Sequence, residues 1–390
     1  MTNHKNMPTV TLLLFRMFHY RVDFLNALRA RLKEEGIELV VYYGNPTQQS
    51  KERQDSEILP WATEITTKSI TIAGKEILLQ IPPRKLFKSN VIICMQENRL
   101  LINYFLQLIT LFKPQCHFTF FGHGRNFQSI AQQGIRERFK KIIVGRSDHF
   151  FAYTELSKQA LLSSGYSEAK ITVVNNTIDA DIFSSKVRNV SQQAIAEYKS
   201  HLGLPDNAVV ALFCGSIYDL KKPSFLIEAV DRIKTALPEL HLIVVGAGPT
   251  QHVIEEASST RDWIHYQGMQ KGDEKTLAYA SCKIILNPGL VGLHIVDALS
   301  AGKPMITTNM PYHSPEYAYL ENNVNGIVTE ENVESYASVV IELLTDDDKL
   351  RTISEAALSA KDNYSLANMV DAFTKGIKTV LPSKGASNLD

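Results

Sequence analysis

IILNPGLVGLHIVDALSAG, Ile284 to Gly302, is the stretch whose reading decides the fold. Its first three residues are apolar and stop at Asn287-Pro288, which makes them a short buried strand with an abrupt end. Gly292 opens a helix whose Leu293, Val296 and Leu299 face a core. A strand, a glycine turn and a helix start bring free amide donors and the positive end of a helix dipole together, a setting suited to an anion. Asp297, one turn further in, is a carboxylate placed to accept hydrogen bonds from a hydroxyl-bearing ligand. Taken alone, the stretch is equally an ordinary strand-loop-helix connection, so its surroundings decide.

Those surroundings repeat the pattern. Towards the N-terminus, Thr9–Phe15 reads as a strand, Val22–Glu35 as a helix ending at Gly36, and Ile37–Tyr43 as a second strand. This β-α-β opening predicts a parallel sheet with crossover helices. Strands follow at Val91–Met95, His117–Phe121, His149–Tyr153 and Ile171–Val174, with helices over Leu100–Phe112 and Glu155–Ser163. The strand at His117 runs into Gly122-His123-Gly124-Arg125-Asn126, a loop position where open α/β sheets bind ligands. The polar run 183–208 is taken as the boundary region. Beyond it the alternation resumes at Val209–Cys214, Leu242–Val245, Trp263–Tyr266, Ile284–Leu286 and Pro304–Thr307, and a last helix covers Leu366–Leu381. The prediction is two doubly wound α/β domains in tandem.

Composition fits that division. The chain has 390 residues, too many for one ordinary core. Its 44% hydrophobic and 21% charged content is that of a soluble globular protein. Net charge is zero, yet residues 1–190 hold 25 Lys and Arg against 16 Asp and Glu, and the remainder holds the reverse. A basic first half points to an anionic partner. The basic face of Ile135–Arg146 (IRERFKKIIVGR) is either ordinary solvated surface or a contact with an anionic membrane. Cys94, Cys116, Cys214 and Cys282 lack metal-ligand spacing and suggest buried, reduced thiols and a cytoplasmic setting. The longest apolar segment, Leu100–Phe112, is too short to span a membrane.

Several chemistries find no support. Gly246-x-Gly248 is half of a dinucleotide fingerprint, without the third glycine or the acidic residue. No P-loop, zincin pattern, nucleophile elbow or DxD-like metal pair is read, and no nucleic-acid partner is expected. What does assemble is a phosphate site. Lys221 and Lys222 follow the turn after the first strand of the second domain, and Gly292 opens the helix after a later strand. In a parallel sheet both lie at carboxyl edges, so a cation and amides are expected to converge on a diphosphate. A diphosphate gathers negative charge as its bond to a sugar breaks, and fixed positive charge stabilises that transition state more than the ground state.

The chain resembles the retaining glycosyltransferases of family 4, which have the GT-B fold, over almost its whole length. Gly215-Ser216-Ile217-Tyr218-Asp219-Leu220-Lys221 is similar to the family's GRLxxEK turn, and Val244 to Pro249 to its VGxGP. Gly289 to Asp297 falls on E-x7-E, Ala301 to Pro304 on xGxP, His313 to Glu316 on GxPE, and Asn325-Gly326 on NG. Ile171 to Asp179 resembles the segment leading to the interdomain linker. The sequence departs from the pattern at Ser216, where the family has arginine, at Gly289, where it has glutamate, and at Asp297, one methylene shorter than glutamate. Met17 to Arg21 replaces a glycine-rich loop. Asn287-Pro288-Gly289 with Val291-Gly292-Leu293 looks like a variant of polysaccharide-building members.

The resemblance implies two Rossmann-like domains facing each other across a cleft. Residues 1–188 would form the acceptor-binding domain, with 366–390 packing back on it, and 189–365 the donor-binding domain. By position, Lys221 would neutralise the diphosphate with Lys222 assisting, beside Gly215 and Ser216. Gly292 and Leu293 would offer amides, Asp297 would hold the ribose, and Glu316 would line the donor pocket. His123 resembles the histidine that reaches the reacting sugar. Tyr20, Arg21 and Arg125 are candidates for acceptor or phosphate contacts. The implied activity is metal- and cofactor-independent transfer of a sugar from a nucleotide-sugar to a saccharide or lipid-linked acceptor, in surface polysaccharide biosynthesis. It would take place in the cytoplasm or on the inner membrane face. The departures at Ser216 and Gly289 keep open a non-catalytic GT-B subunit that binds nucleotide or a partner chain. A GT-B UDP-sugar 2-epimerase is a third reading, whose arrangement of carboxylates and histidines is not seen.

Overall fold

Apolar runs without polar alternation mark strands buried on both faces, and the chain folds them into two separate parallel sheets. The structure, a computed structural model, describes residues 7–45, 57–72, 75–124 and 144–381. It divides into Met1–Ile178 with Leu366–Asp390, and Asp179–Ser365.

The first unit contains β1 (Thr9–Leu14), β2 (Glu38–Gly44), β3 (Thr63–Ile65), β4 (Thr67–Ile72), β5 (Lys75–Gln80), β6 (Val91–Met95), β7 (His117–Gly122), β8 (His149–Ala152) and β9 (Ile171–Val173). Seven of them form a sheet in the order β3-β2-β1-β6-β7-β8-β9, and β4 pairs with β5 as a separate antiparallel ribbon. The order reverses between β1 and β6, which are parallel neighbours in register Val10 to Val91. The C-terminal helix Leu366–Val380 belongs to this unit. Phe373 anchors it, with ring centroids 5.0 Å from Phe24, 5.0 Å from Phe121 and 4.7 Å from Phe151. Gly376 lets the helix approach, because a Cβ there would stand 2.6 Å from the Phe151 ring.

The second unit contains β10 (Val209–Cys214), β11 (Leu240–Val245), β12 (Ile264–Tyr266), β13 (Ile284–Leu286), β14 (Met305–Thr308) and β15 (Gly326–Thr329). Their order, β12-β11-β10-β13-β14-β15, reverses between β10 and β13, and every pair is parallel. Helices Pro223–Ala236 and Val333–Thr345 pack on each other, burying Leu226, Val230, Ile233, Tyr336 and Val340 in one core.

Three expectations are corrected. The boundary expected between residues 188 and 189 falls between 178 and 179. Asp179 Oδ1 accepts from the Ile182 amide at 2.9 Å and so starts the helix Ala180–Arg188, which packs on the second unit's helices His294–Ser300 and Gly272–Ser281. The polar run 183–208 is helical at Ala180–Arg188 and Gln192–His201, the second helix capped by Ser191. Gly326–Thr329, to which no strand is assigned from the sequence, is an edge strand. Arg125 and the basic stretch as far as Ile143 lie outside the described residues. Among the described residues no helix is long and apolar enough to cross a membrane. All four cysteines are buried and free.

Candidate active site

In a doubly wound sheet the loops that leave the two strands at the order reversal diverge and open a crevice. In the second unit those loops are Gly215–Lys222 after β10 and Asn287–Leu293 after β13. Their backbones touch. A Cβ on Gly289 would stand 2.2 Å from the Leu220 carbonyl oxygen and 2.5 Å from Lys221 Cα, and the Leu290 amide donates to Leu220 O at 2.8 Å. A glutamate at position 289, as in the resembling family, has no room in this arrangement. The loop after β11 closes in from the other side. A Cβ on Gly248 would meet Ile217 O at 2.2 Å, and the Ile217 amide donates to Ala247 O at 3.0 Å.

This contact buries Lys221, which is 4% exposed. Its Nζ donates to the Leu290 carbonyl and lies 3.4 Å from Asn287 Oδ1 and 3.4 Å from each ring nitrogen of His294. Asn287 in turn donates to Gly289 O at 3.0 Å, so the residue that ends β13 also ties down the loop. Burial pushes the Lys221 ammonium down to about 7, with the Cys214 thiol acting weakly the other way. Burial, with Lys221 and Lys275 close by, keeps the His294 imidazole neutral, well below its ordinary value. A neutral ring offers a lone pair to the lysine.

The next loop is fixed to the same turn. The Val291 amide donates to His313 Nδ1 at 3.0 Å, and the Ser314 amide donates to Val291 O at 3.0 Å. Burial pushes the His313 imidazole down to about 4, which keeps this acceptor in its neutral form. Glu316 lies buried in the short turn Pro315–Tyr319 that follows. Leu293 precedes the helix His294–Ser300, and Gly292 stands beside Ser314.

Asp297 is buried and forms an ion pair with Lys275, Oδ1 to Nζ 2.8 Å. The ammonium of Lys275 also lies over the Phe183 ring, 4.7 Å from its centroid. Burial alone would lower the Lys275 pKa, but Asp297 and Cys214 outweigh it and hold the group charged. The carboxylate expected to hold a ribose is therefore already engaged on one oxygen. Lys222, expected to assist Lys221, takes a left-handed conformation (φ 55°) before Pro223 and pairs with Glu331 at 2.7 Å. Ser216 is exposed beside Gly215, whose φ is 154°.

In the first unit the segment that leaves β1 carries a cluster of side chains that reaches the ends of β7 and β8. Arg16 lies 4.3 Å from the Phe18 ring centroid, and Phe18 stacks on Tyr20 at 5.0 Å. Arg21 is buried, donates to Tyr153 Oη at 2.6 Å and lies 4.7 Å from the Phe121 centroid. His123, just beyond β7, meets the same tyrosine edge-on at 4.5 Å. Gln96 fixes the His123 loop, accepting from the Gly124 amide at 2.8 Å and donating to Gly124 O at 3.2 Å.

The structure thus brings Lys221 to the Gly289–Leu293 loop and Arg21 to the His123 group. Sequence reasoning missed Asn287, His294, Lys275 and Tyr153 as members of these groups. Only Asn287 carried a signal, since a buried amide that stops a strand needs partners.

Known proteins share this framework. Residues 208–346 match the family described as glycosyl transferases group 1. Over that segment the chain is similar to the group 1 glycosyltransferases. The matched segment holds Lys221, Lys275, Asn287, Gly289, His294, Asp297 and His313. A D-inositol 3-phosphate glycosyltransferase of Gordonia bronchialis is 24% identical over 277 residues, 67% of this chain and 58% of the relative. An alpha-monoglucosyldiacylglycerol synthase of Acholeplasma laidlawii is 24% identical over 204 residues, 51% of this chain and 50% of the relative. The chain thus spans about half the length of these curated relatives. Anabaena HepE, solved with UDP and glucose, superposes with a TM-score of 0.69 at 15% identity, covering 95% of this chain and 99% of that one. A glycosyltransferase from Rickettsia africae gives 0.70 at 17% identity, covering 97% and 100%. Both units being Rossmann-like parallel sheets, the fold is GT-B.

Proposed function

We propose that the protein is a retaining glycosyltransferase that moves a sugar from a nucleotide-sugar to a saccharide or lipid-linked acceptor, in the building of a surface polysaccharide. The observation that carries this reading is the buried Lys221 ammonium held against the Gly289–Leu293 loop at the order reversal of the second sheet. An arriving diphosphate supplies the negative charge that burial withholds, so the lysine is protonated when the nucleotide is bound. As the anomeric C–O bond breaks, its electron pair goes to the β-phosphate oxygen, and Lys221 stabilises that developing charge. The acceptor hydroxyl oxygen forms the new bond on the same face and passes its proton to the departing phosphate oxygen, which gives retention. In this reading Lys221 neutralises the diphosphate without a metal or other cofactor, and the donor belongs to the second unit.

Asp297, with one oxygen on Lys275, keeps a second oxygen for a ribose hydroxyl. Glu316, Gly215, Ser216 and the amides of Gly292 and Leu293 complete the proposed donor set. The first unit is assigned to the acceptor, with His123 as its catalytic residue and Tyr20 and Arg21 as contacts. The curated relatives named for inositol phosphate and diacylglycerol support small polar or lipid-borne acceptors, and the basic first half supports peripheral contact with an anionic membrane on the cytoplasmic side. The test is incubation with UDP-, GDP- and dTDP-sugars and lipid-linked acceptors. Acceptor-dependent release of a nucleoside diphosphate is expected, and release from none of them would contradict the proposal.

The lack of room for a carboxylate at Gly289 favours one second reading, a GT-B subunit that binds nucleotide without turnover. Nucleotide affinity with no turnover on any donor would select it.

A further inference from the structure

The helix Leu101–Thr110 has one face in the core of the first unit and the other left uncovered by the described residues. Ile102 and Leu106 are buried, whereas Leu101, Phe105, Leu108 and Phe112 recur along one exposed line, with Phe105 51% and Phe112 80% exposed. Leu111, beside Phe112, is 63% exposed. The solvent side of a surface helix normally carries charge, and this one carries none. The ribbon of β4 and β5, which bridges to the start of this helix at Leu78–Leu100, buries Leu78 and Gln80 and leaves Ile70 and Leu79 exposed.

Cations border the apolar line. The Phe105 ring meets Phe87 at 6.4 Å, and Phe87 sits in the turn Arg84–Lys88, whose Arg84, Lys85 and Lys88 are exposed. Exposed Lys113 donates to Phe87 O at 3.0 Å from the other side. From Ile81 to Cys116 the sequence has one carboxylate, Glu97, and Arg99 engages it at 2.5 Å. Exposed aromatic and aliphatic side chains with a basic rim match the chemistry of a bilayer interface with anionic headgroups.

We propose that this face docks on an anionic phospholipid bilayer. Phe105, Leu108, Leu111 and Phe112 enter the boundary between headgroups and acyl chains, while Lys85 and Lys88 meet the phosphates. The proposal gives the membrane contact of the proposed function a location and rests on that part of the reading alone, so vesicle binding tests it separately from sugar transfer.

The experiment is flotation of the full chain with phosphatidylcholine vesicles, with and without phosphatidylglycerol. The wild type is expected to float with the anionic vesicles. The double variant Phe105→Ser/Phe112→Ser is expected to lose at least about tenfold in partition, with its unfolding temperature and nucleotide affinity unchanged. Lys85→Gln/Lys88→Gln is expected to lose the preference for phosphatidylglycerol. Equal flotation of the Phe105→Ser/Phe112→Ser variant would overturn this placement and leave a membrane contact elsewhere. A wild type that floats with neither vesicle would overturn both. A wild-type dimer dispersed by the double variant, with no vesicle binding, would assign the face to a second copy of the chain and overturn the proposal.

Discussion

The two sheets reverse strand order at equivalent places, β1/β6 and β10/β13, yet their crevices are built from opposite materials. The second unit fills its crevice with main chain. Glycines 248 and 289 let three loops touch, and one buried lysine is enclosed by carbonyl, amide and imidazole acceptors. The first unit builds its site from side chains, as Arg16, Phe18, Tyr20, Arg21 and Tyr153 stack and bond to one another. A backbone cradle suits an anion that every substrate shares, such as a diphosphate. A crevice of aromatic rings and guanidinium groups suits a ligand whose shape is selected.

The comparison breaks first at Lys221. Lys221→Met is expected to lower turnover about 10²- to 10³-fold, the cost of removing one preorganised donor to a developing anion. Its stability is expected to hold or rise, because a buried ammonium is removed. Steady-state kinetics with a chemical-denaturation curve check both halves. Next, Gly289→Ala is expected to cost about 1–3 kcal/mol of stability, since the added methyl meets only backbone. Nucleotide affinity should fall with it, and denaturation midpoints together with binding isotherms measure this. An unchanged midpoint would mean that the loops are not in contact.

Smaller effects separate the two crevices. Tyr153→Phe leaves Arg21 buried without its hydroxyl acceptor, an expected loss of about 1.5–3 kcal/mol of stability. Donor affinity should be untouched, because Tyr153 and the lysine site lie in different units. Lys222→Ala removes a partly exposed pair with Glu331 and should change stability by less than about 1 kcal/mol. Turnover should stay within about twofold. A Lys222→Ala effect as large as that of Lys221→Met would return the diphosphate role to both lysines.

The same contrast explains what the sequence made legible. Close backbone approach in the second crevice demands glycine at 246, 248 and 289, yet the sequence showed the first two only as half a fingerprint and the third only as a departure from the family pattern, whereas the short apolar run Ile284–Leu286 announced its buried strand. Side-chain packing leaves no such spacing. Tyr153 lies 132 positions from Arg21, and nothing local joins them. Lys275 carries no signal in the sequence, and only the fold places it on Asp297. The helices Ala180–Arg188 and Gln192–His201 escaped notice because mostly polar faces blur the helical period, leaving their caps, Asp179 and Ser191, as the stronger signal. Gly326–Thr329 is an edge strand of four residues, too short for periodicity to show.

Calorimetric titration of the full chain with UDP, GDP and dTDP at pH 6.5 and 8.5 tests the central claim most directly. With the free Lys221 near pKa 7 and the bound lysine charged, binding must take up a proton above neutrality. The affinity for at least one nucleotide is therefore expected to fall about tenfold per pH unit above 7. The heat of binding should depend on the buffer's ionisation enthalpy, and Lys221→Met should abolish both effects. Affinity that is independent of pH in this range, or unchanged in Lys221→Met, would contradict the claim that this lysine holds the diphosphate.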